Sequence, residues 1–197
     1  MPKISKVEVY GLENSVEASK YPFALDVGNV NSDITDRTIS LANCKTGTGH
    51  DNFLNGIIVQ FDLTFSNKAW VEAERYHFLD FVSSQSTMHC ISKMEIRNMC
   101  NEYVTEATIK EVERLKDMYL TTEAKEDYLR LLYNIPSGFE LTARMTTNLR
   151  QLKTIYYQRR NHKLPDWKMF CDWLEQLEVF KELVLQNERR METDKGI

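Results

Sequence analysis

Four histidines and one glycine-rich run are the residues of this 197-residue chain whose types first suggest chemistry. His50, His77, His89 and His162 show no spacing of four along a helix, the pattern that places two imidazoles on one metal ion. The run Lys45-Thr46-Gly47-Thr48-Gly49 is not a P-loop, because its lysine precedes the glycines and no Lys-Ser/Thr pair closes it. The sequence leaves a catalytic Ser-His-Asp triad as an alternative, although no Gly-x-Ser-x-Gly turn indicates one.

A dense group of cations, residues 159–163, follows Tyr156 and Tyr157 near the end of a predicted helix. Cations at a helix C-terminus are favoured by the helix dipole, which gives them a structural explanation. Arginine and tyrosine together are also the best candidate in this chain for contact with nucleic acid. The net charge of −4 argues against a general nucleic-acid binder, so the structural explanation is preferred.

The stretch of residues 76–89 carries a more specific pattern. His77 is followed, after eight intervening residues, by Ser86, and an alternating apolar run at 57–65 precedes both. This order resembles the flavin-dependent thymidylate synthases, whose signature is Arg-His-Arg, seven residues, then Ser. Tyr76 and Phe78 replace the two arginines of that signature.

Two further blocks extend the resemblance over most of residues 49–168. Gly49-His50 matches the start of a Gly-His-Glu-Ser-x-x-Glu-His pattern, whose later Glu-His is replaced by Asn-Gly. Ile135-Pro136, then residues 146–152 (Thr-Thr-Asn-Leu-Arg-Gln-Leu), then Gln158-Arg159 match a second family block in order and spacing. The resemblance predicts a divergent member of this family with a degenerate signature.

The resemblance implies a set of site residues. Those expected to hold the cofactor FAD are His50, His77 and Asn148. Those expected to hold a pyrimidine nucleotide are Ser86, Arg150 and Arg159. It names no catalytic side chain and no metal, because the parent reaction methylates C5 of dUMP with reduced flavin and a methylene-folate donor, without a protein nucleophile.

The departures from the family pattern bear on binding. Besides Tyr76 and Phe78, Met88 and Leu132 replace arginines associated with phosphate, and Thr154 replaces an asparagine. Each charge-assisted hydrogen bond contributes about 1.5–3 kcal/mol, so uncompensated loss of two arginines would cost several kcal/mol in binding the nucleotide phosphate, and the same holds for the flavin diphosphate. Because both arginines that flank His77 in the family are absent, we expect weak or absent flavin binding by the isolated protein.

Composition sets the broad class. Hydrophobic residues at 42% and charged residues at 27% are ordinary for a globular domain, and few glycines and prolines favour a helix-rich chain. The four cysteines match no zinc or disulfide pattern, so we expect them to be reduced and mostly buried. No signal peptide or membrane-length apolar run is evident, so a cytoplasmic location is expected.

Periodicity predicts where the strands and helices lie. Alternation predicts strands at 4–10, 57–65 and 139–145. Helical spacing and start signals predict helices at 12–20, 33–44, 67–78, 108–133 with a break near residue 121, 147–161, and from 165 onward. Ser32 is predicted to cap the start of the helix at 33–44, and Ser66 or Asn67 the start of the next helix. Thr108 and Glu111 are predicted to form a capping box.

These observations predict an α/β (α+β) fold of the flavin-dependent thymidylate synthase type, helix-rich with a central sheet. Residues 1–190 are expected to form one domain and 191–197 a polar tail. By resemblance we expect a homo-oligomer, a tetramer. Asn148 and Arg159 are eleven positions apart, about three helical turns, so we expect them to face one shared cleft. The apolar surface that subunits of such an oligomer would cover has four candidate residues, Trp70, Phe81, Phe139 and Tyr157. Core packing is the alternative for each.

Three functions remain open. The first is a divergent enzyme or binder of this family that takes a pyrimidine nucleotide or a derivative. The second is a non-catalytic interaction or regulatory protein on the same fold. The third is a nucleic-acid-associated protein that uses the basic cluster at 159–163.

Overall fold

One antiparallel sheet of four strands organises the fold. The computed structural model describes residues 3–45 and 47–186. The strands are β1 (Ile4–Tyr10), β2 (Ile58–Ser66), β3 (Leu79–Ser84) and β4 (Glu140–Asn148). Their order in the sheet is β1-β2-β4-β3, so β1 and β3 are the edge strands. The side chains of β2 alternate between buried and half-buried, as its alternating sequence predicts.

Ten α-helices are present in the described part of the chain. They are α1 (Leu12–Ala18), α2 (Asp36–Ala42), α3 (Asn67–Ala73), α4 (Thr87–Cys90), α5 (Ile96–Met99), α6 (Glu106–Thr122), α7 (Lys125–Tyr133), α8 (Leu149–Arg159), α9 (Pro165–Leu174) and α10 (Glu178–Phe180). Short 3₁₀ turns lie at Tyr21–Phe23, Val27–Asn29, Asn52–Gly56 and Ile91–Lys93, and a π-helical turn covers Lys181–Leu185.

The chain divides into two compact units. Among the described residues, the first comprises 3–5, Asp62–Arg75 and Phe81–Met145. Its core is an apolar cluster from several helices and the residue before β4: Ile91, Ile96, Val112, Leu115, Leu131 and Phe139. The hydroxyls of Thr64 and Thr142 are 2.7 Å apart and mark the register of β2 against β4.

The second unit comprises the described residues of Lys6–Phe61, Tyr76–Asp80 and 146–186. Its core is rich in aromatic rings: Phe61 lies 5.9 Å from Phe170 and 4.9 Å from Trp173, centroid to centroid. Gly11 precedes α1 with a φ of 72°, and a Cβ there would lie 2.6 Å from the carbonyl oxygen of Gly56. Glycine at position 11 therefore lets α1 approach the Asn52–Gly56 turn closely.

The structure confirms the predicted fold class and most elements, and it corrects several boundaries. Ser66 caps α3 as predicted, accepting a hydrogen bond from the Ala69 amide, and α6 and α7 meet at the predicted break. The helix predicted to reach residue 78 ends at Ala73 instead, and β3, which was not predicted, follows it. The α6 cap lies three residues earlier than predicted, at Thr105, because the Thr105 hydroxyl accepts from the Thr108 amide.

The start of the second predicted helix is also corrected. Thr35, rather than Ser32, caps α2, through a capping box with Thr38. The polar tail predicted at 191–197 lies outside the described residues, and a single domain at 1–190 stays a prediction beside the two compact units.

The burial of the cysteines and of two aromatic side chains differs from what the sequence predicted. All four cysteines are free thiols, but only Cys171 is buried and Cys90 is exposed. Core packing holds for Trp70 and Phe139, which were candidates for the surface, whereas Phe81 and Tyr157 are 50% and 39% exposed. Within the described ranges, every helix is too short or too polar to cross a membrane.

Candidate functional site

A pocket of about 380 Å³ lies in the second unit, beside the first turns of α8. Its volume is near the lower end of the range of about 300–1,000 Å³ that is usual for small-molecule sites. Ten residues line it: Asp51, Asn55, Phe78, Asn148, Arg150, Gln151, Lys153, Thr154, Tyr157 and Gln158. The lining combines two cations, one carboxylate, four side-chain amides and two aromatic rings.

A buried carboxylate organises the charged side of the pocket. Asp51 is 6% exposed, and its Oδ1 lies 3.0 Å from Nη2 of Arg150. Its Oδ2 lies 3.3 Å from Nζ of Lys153, which also donates to the carbonyl oxygen of Ala42 at 2.5 Å. Asp51 thus orients both cations, and two cations against one carboxylate leave the lining with one net positive charge.

The start of α8 adds backbone polarity to the same wall. Asn148 is the N-cap, and its Oδ1 accepts from the Gln151 amide at 2.8 Å. The Leu149 amide donates to the carbonyl oxygen of Ile57 at 2.9 Å, which fixes the entry of the helix. A helix N-terminus carries partial positive charge, so together with Arg150 and Lys153 this wall favours an anion.

Two aromatic residues line the pocket as well. Phe78 is 64% exposed and has a φ of 67°, a left-handed conformation that bulky side chains rarely adopt. Tyr157 is 39% exposed and follows Tyr156 on α8, their rings 5.4 Å apart. The pocket therefore presents apolar ring surface as well as cations.

Arg159 lies at the last turn of α8, outside this lining. It is 9% exposed, and its Nε donates to the hydroxyl of Tyr76 at 2.6 Å. Its guanidinium also lies 4.7 Å from the ring centroid of Trp167. The pocket that Asn148 lines is thus not the shared cleft predicted for Asn148 and Arg159, and one cation of the basic cluster at 159–163 lies inside the protein.

The remaining predicted site residues lie elsewhere. His50 and His77 are exposed and do not line the pocket, although His50 precedes Asp51, and His77 precedes Phe78. Ser86 belongs to the first unit, half-buried before α4, and its side chain does not cap that helix. Of the six predicted residues, the structure brings together Asn148 and Arg150, and the predicted roles of all six stay predictions.

The sequence did not single out Asp51 and Lys153 as site residues. Lys153 is on the face of α8 that carries Arg150, three positions away, and this helical spacing was a usable signal. Asp51 directly follows Gly49-His50, where the family pattern carries a glutamate. In the described ranges, no group of three or more His, Cys, Asp or Glu side chains is arranged to hold a metal ion.

Comparison with known proteins shows the fold. Neither a protein-family model nor a curated protein matches the sequence. Two crystal structures of thymidylate synthase X from Helicobacter pylori, each with FAD and dUMP, have TM-scores of 0.74 and 0.71 against this chain. The fold is that of the flavin-dependent thymidylate synthases. Both are 13% identical to the chain and cover 93% of it, and 98% and 99% of their own lengths are covered.

Proposed function

We propose that this protein binds a pyrimidine nucleotide, or a derivative of one, in the pocket beside α8. The observation that carries the proposal is the pairing of Arg150 and Lys153 on the helix-start wall, where their combined charge exceeds that of Asp51. A phosphate monoester at neutral pH carries close to two negative charges, and sites for it typically combine arginine with a helix N-terminus. The fold supports the proposal, because the Helicobacter pylori structures on this fold hold dUMP.

The polar side chains beside the cations suit the rest of such a ligand. Asn55, Gln151 and Gln158 bring amide donors and acceptors to the lining. A pyrimidine ring carries carbonyl oxygens and ring nitrogens, so amides can read its edge. The side chains would bind and orient the nucleotide, with its phosphate on the Arg150 side.

The positions that flank His77 do not fit the diphosphate of FAD. Tyr76 has its hydroxyl engaged by Arg159 and its ring 5.8 Å from that of Trp167, and Phe78 offers no donor. The pocket volume also suits a mononucleotide better than a dinucleotide. We therefore propose nucleotide binding without assigning a flavin-dependent step, and C5 methylation of dUMP stays the finer hypothesis. The visible spectrum of the purified protein tests flavin directly, and a flavin band would contradict this assignment.

Calorimetric titration with dUMP tests the proposal. Arg150→Gln should weaken binding by about 10- to 150-fold, the loss of one charge-assisted contact of about 1.5–3 kcal/mol. Arg114→Gln is the matched control, because Arg114 also pairs with a carboxylate, Glu111 at 2.8 Å, but lies in the first unit. Equal affinities of the two variants and the wild type, or no binding by the wild type, would refute the proposal.

We also propose that the protein is a homo-oligomer, a tetramer by analogy with the family. Exposed apolar side chains support it in each unit: Phe81 and Val82 on β3, and Phe23 and Leu25 near α1, the last two at 70% and 108% exposure. Size exclusion with light scattering should give a multiple of 23.2 kDa. A 23.2 kDa species across a wide concentration range would contradict it.

A further inference from the structure

The backbone of Phe78 is unusual for its side chain. Its φ of 67° falls where glycine is favoured and bulky residues are outliers. The turn is fixed on both sides, because the Leu79 amide donates to the carbonyl oxygen of Tyr76 at 3.3 Å and Leu79 is 5% exposed. Phe78 therefore holds this conformation because its neighbours are anchored.

The folded state gains little from this ring. Phe78 is 64% exposed, so its burial contributes little hydrophobic stabilisation to offset the backbone conformation. Tyr76, two positions earlier, shows the contrast: its ring packs against Trp167 and its hydroxyl accepts from Arg159. Strain of this kind at a residue that lines a pocket points to a role in binding.

We propose that Phe78 determines ligand specificity by stacking on the planar heteroaromatic ring of the bound molecule. This inference rests on the proposed function, since it places the ligand phosphate against Arg150 and Lys153 in the same pocket. Tyr157 supplies a second ring in that lining. The ligand must carry a flat heteroaromatic ring joined to a phosphate. A pyrimidine mononucleotide and a flavin mononucleotide both meet this requirement, and we assign the pocket to the pyrimidine mononucleotide.

Stacking makes a defined contribution that can be separated from phosphate binding. Every nucleobase has a π-face, so an aromatic platform binds the ring while the cations bind the phosphate. Removing the platform should therefore weaken ligands that carry a ring and leave a sugar phosphate unaffected.

The test uses calorimetry on the full chain with three probes: dUMP, FMN and 2-deoxyribose 5-phosphate. Phe78→Gly removes the ring and suits the left-handed backbone, and it should weaken dUMP by about tenfold or more. The same variant should bind 2-deoxyribose 5-phosphate as the wild type does, and its ligand-free melting temperature should equal or exceed that of the wild type. Phe78→Trp restores a ring and should retain wild-type affinity for dUMP.

The outcomes separate this inference from the proposed function. If Phe78→Gly binds dUMP as tightly as the wild type, the stacking role is overturned and nucleotide binding stands. If the wild type binds FMN but not dUMP, and Phe78→Gly loses FMN, the pyrimidine assignment is overturned and the stacking role stands. If the wild type binds neither, both are overturned.

Discussion

Tyr76→Phe is the sharpest perturbation that the structure offers for the buried end of α8. The substitution keeps the ring against Trp167 and removes only the hydroxyl, which accepts from Nε of Arg159 at 2.6 Å. Arg159 is 9% exposed, so water replaces the lost acceptor poorly. Since hydrogen bonds to charged groups contribute about 1.5–3 kcal/mol, we expect a loss of about 2 kcal/mol in the free energy of unfolding.

Thermal unfolding followed by circular dichroism measures this loss. For a chain of this length each kcal/mol shifts the melting temperature by about 2–4 °C, so Tyr76→Phe should melt about 4–8 °C below the wild type. Tyr133→Phe is the matched control. Tyr133 is 86% exposed, so the loss of its hydroxyl should change the melting temperature little. A Tyr76→Phe melting temperature within about 1 °C of the wild type would refute the structural role of this hydrogen bond.

The same variant separates two roles for Arg159, which the family resemblance assigns to the substrate. If Arg159 acts only inside the protein, saturating dUMP should stabilise Tyr76→Phe and the wild type by equal amounts, because ligand stabilisation depends on affinity. A smaller dUMP-induced shift in Tyr76→Phe would show that Arg159 also reaches the ligand, and would support its predicted substrate role.

Three further predictions concern charge, capping and a buried thiol. Asp51→Asn should lower the melting temperature, because two cations lose their carboxylate, yet raise affinity for inorganic phosphate in calorimetry; a decrease in both would contradict the proposed anion site. Ser66→Ala should cost about 1 kcal/mol in chemical denaturation by removing the α3 cap, whereas Ser86→Ala, which removes no helix cap, should leave stability unchanged. Burial, with nearby acidic groups, raises the pKa of the Cys171 thiol from its ordinary 9.0 to about 12. As the pH rises, the unfolded chain therefore loses this proton before the folded chain does. The free energy of unfolding should then fall between pH 9.0 and about 12. Cys171→Ala should show a shallower fall in melting temperature over that range, and an equal slope would refute the shift.

β1, β2 and β4 were predictable because apolar and polar residues alternate along their sequences, and β3 was not. Alternation at 58–66 follows directly from burial on one side of β2, which is why β2 was found. In β3 only Leu79 is buried, and its sequence, Leu-Asp-Phe-Val-Ser-Ser, does not sustain an alternation of apolar and polar residues. The end of α3 at Ala73 was missed for a related reason: neither glycine nor proline follows it.

The site was predictable in its local part only. Asn148 and Arg150 follow from one block of sequence, and Asn148 acts as a local cap across three residues. The ion pair of Asp51 with Lys153 joins positions 102 apart in the chain, so no local pattern could reveal it. Long-range charge pairing was thus the missing step, and it decides which cations the pocket presents.

Tyr76 and Phe78, which flank His77, differ in what their side chains contribute to the folded state, and this difference bears on function. Tyr76 turns inward and supports Arg159, whereas Phe78 turns outward in a conformation that stability alone does not favour. Glycine or asparagine would adopt this backbone at lower cost than phenylalanine. Because stability alone does not favour an exposed aromatic ring at this φ, and the ring lines the same pocket as Arg150 and Lys153, the proposed stacking on a flat anionic ligand gives Phe78 a function there.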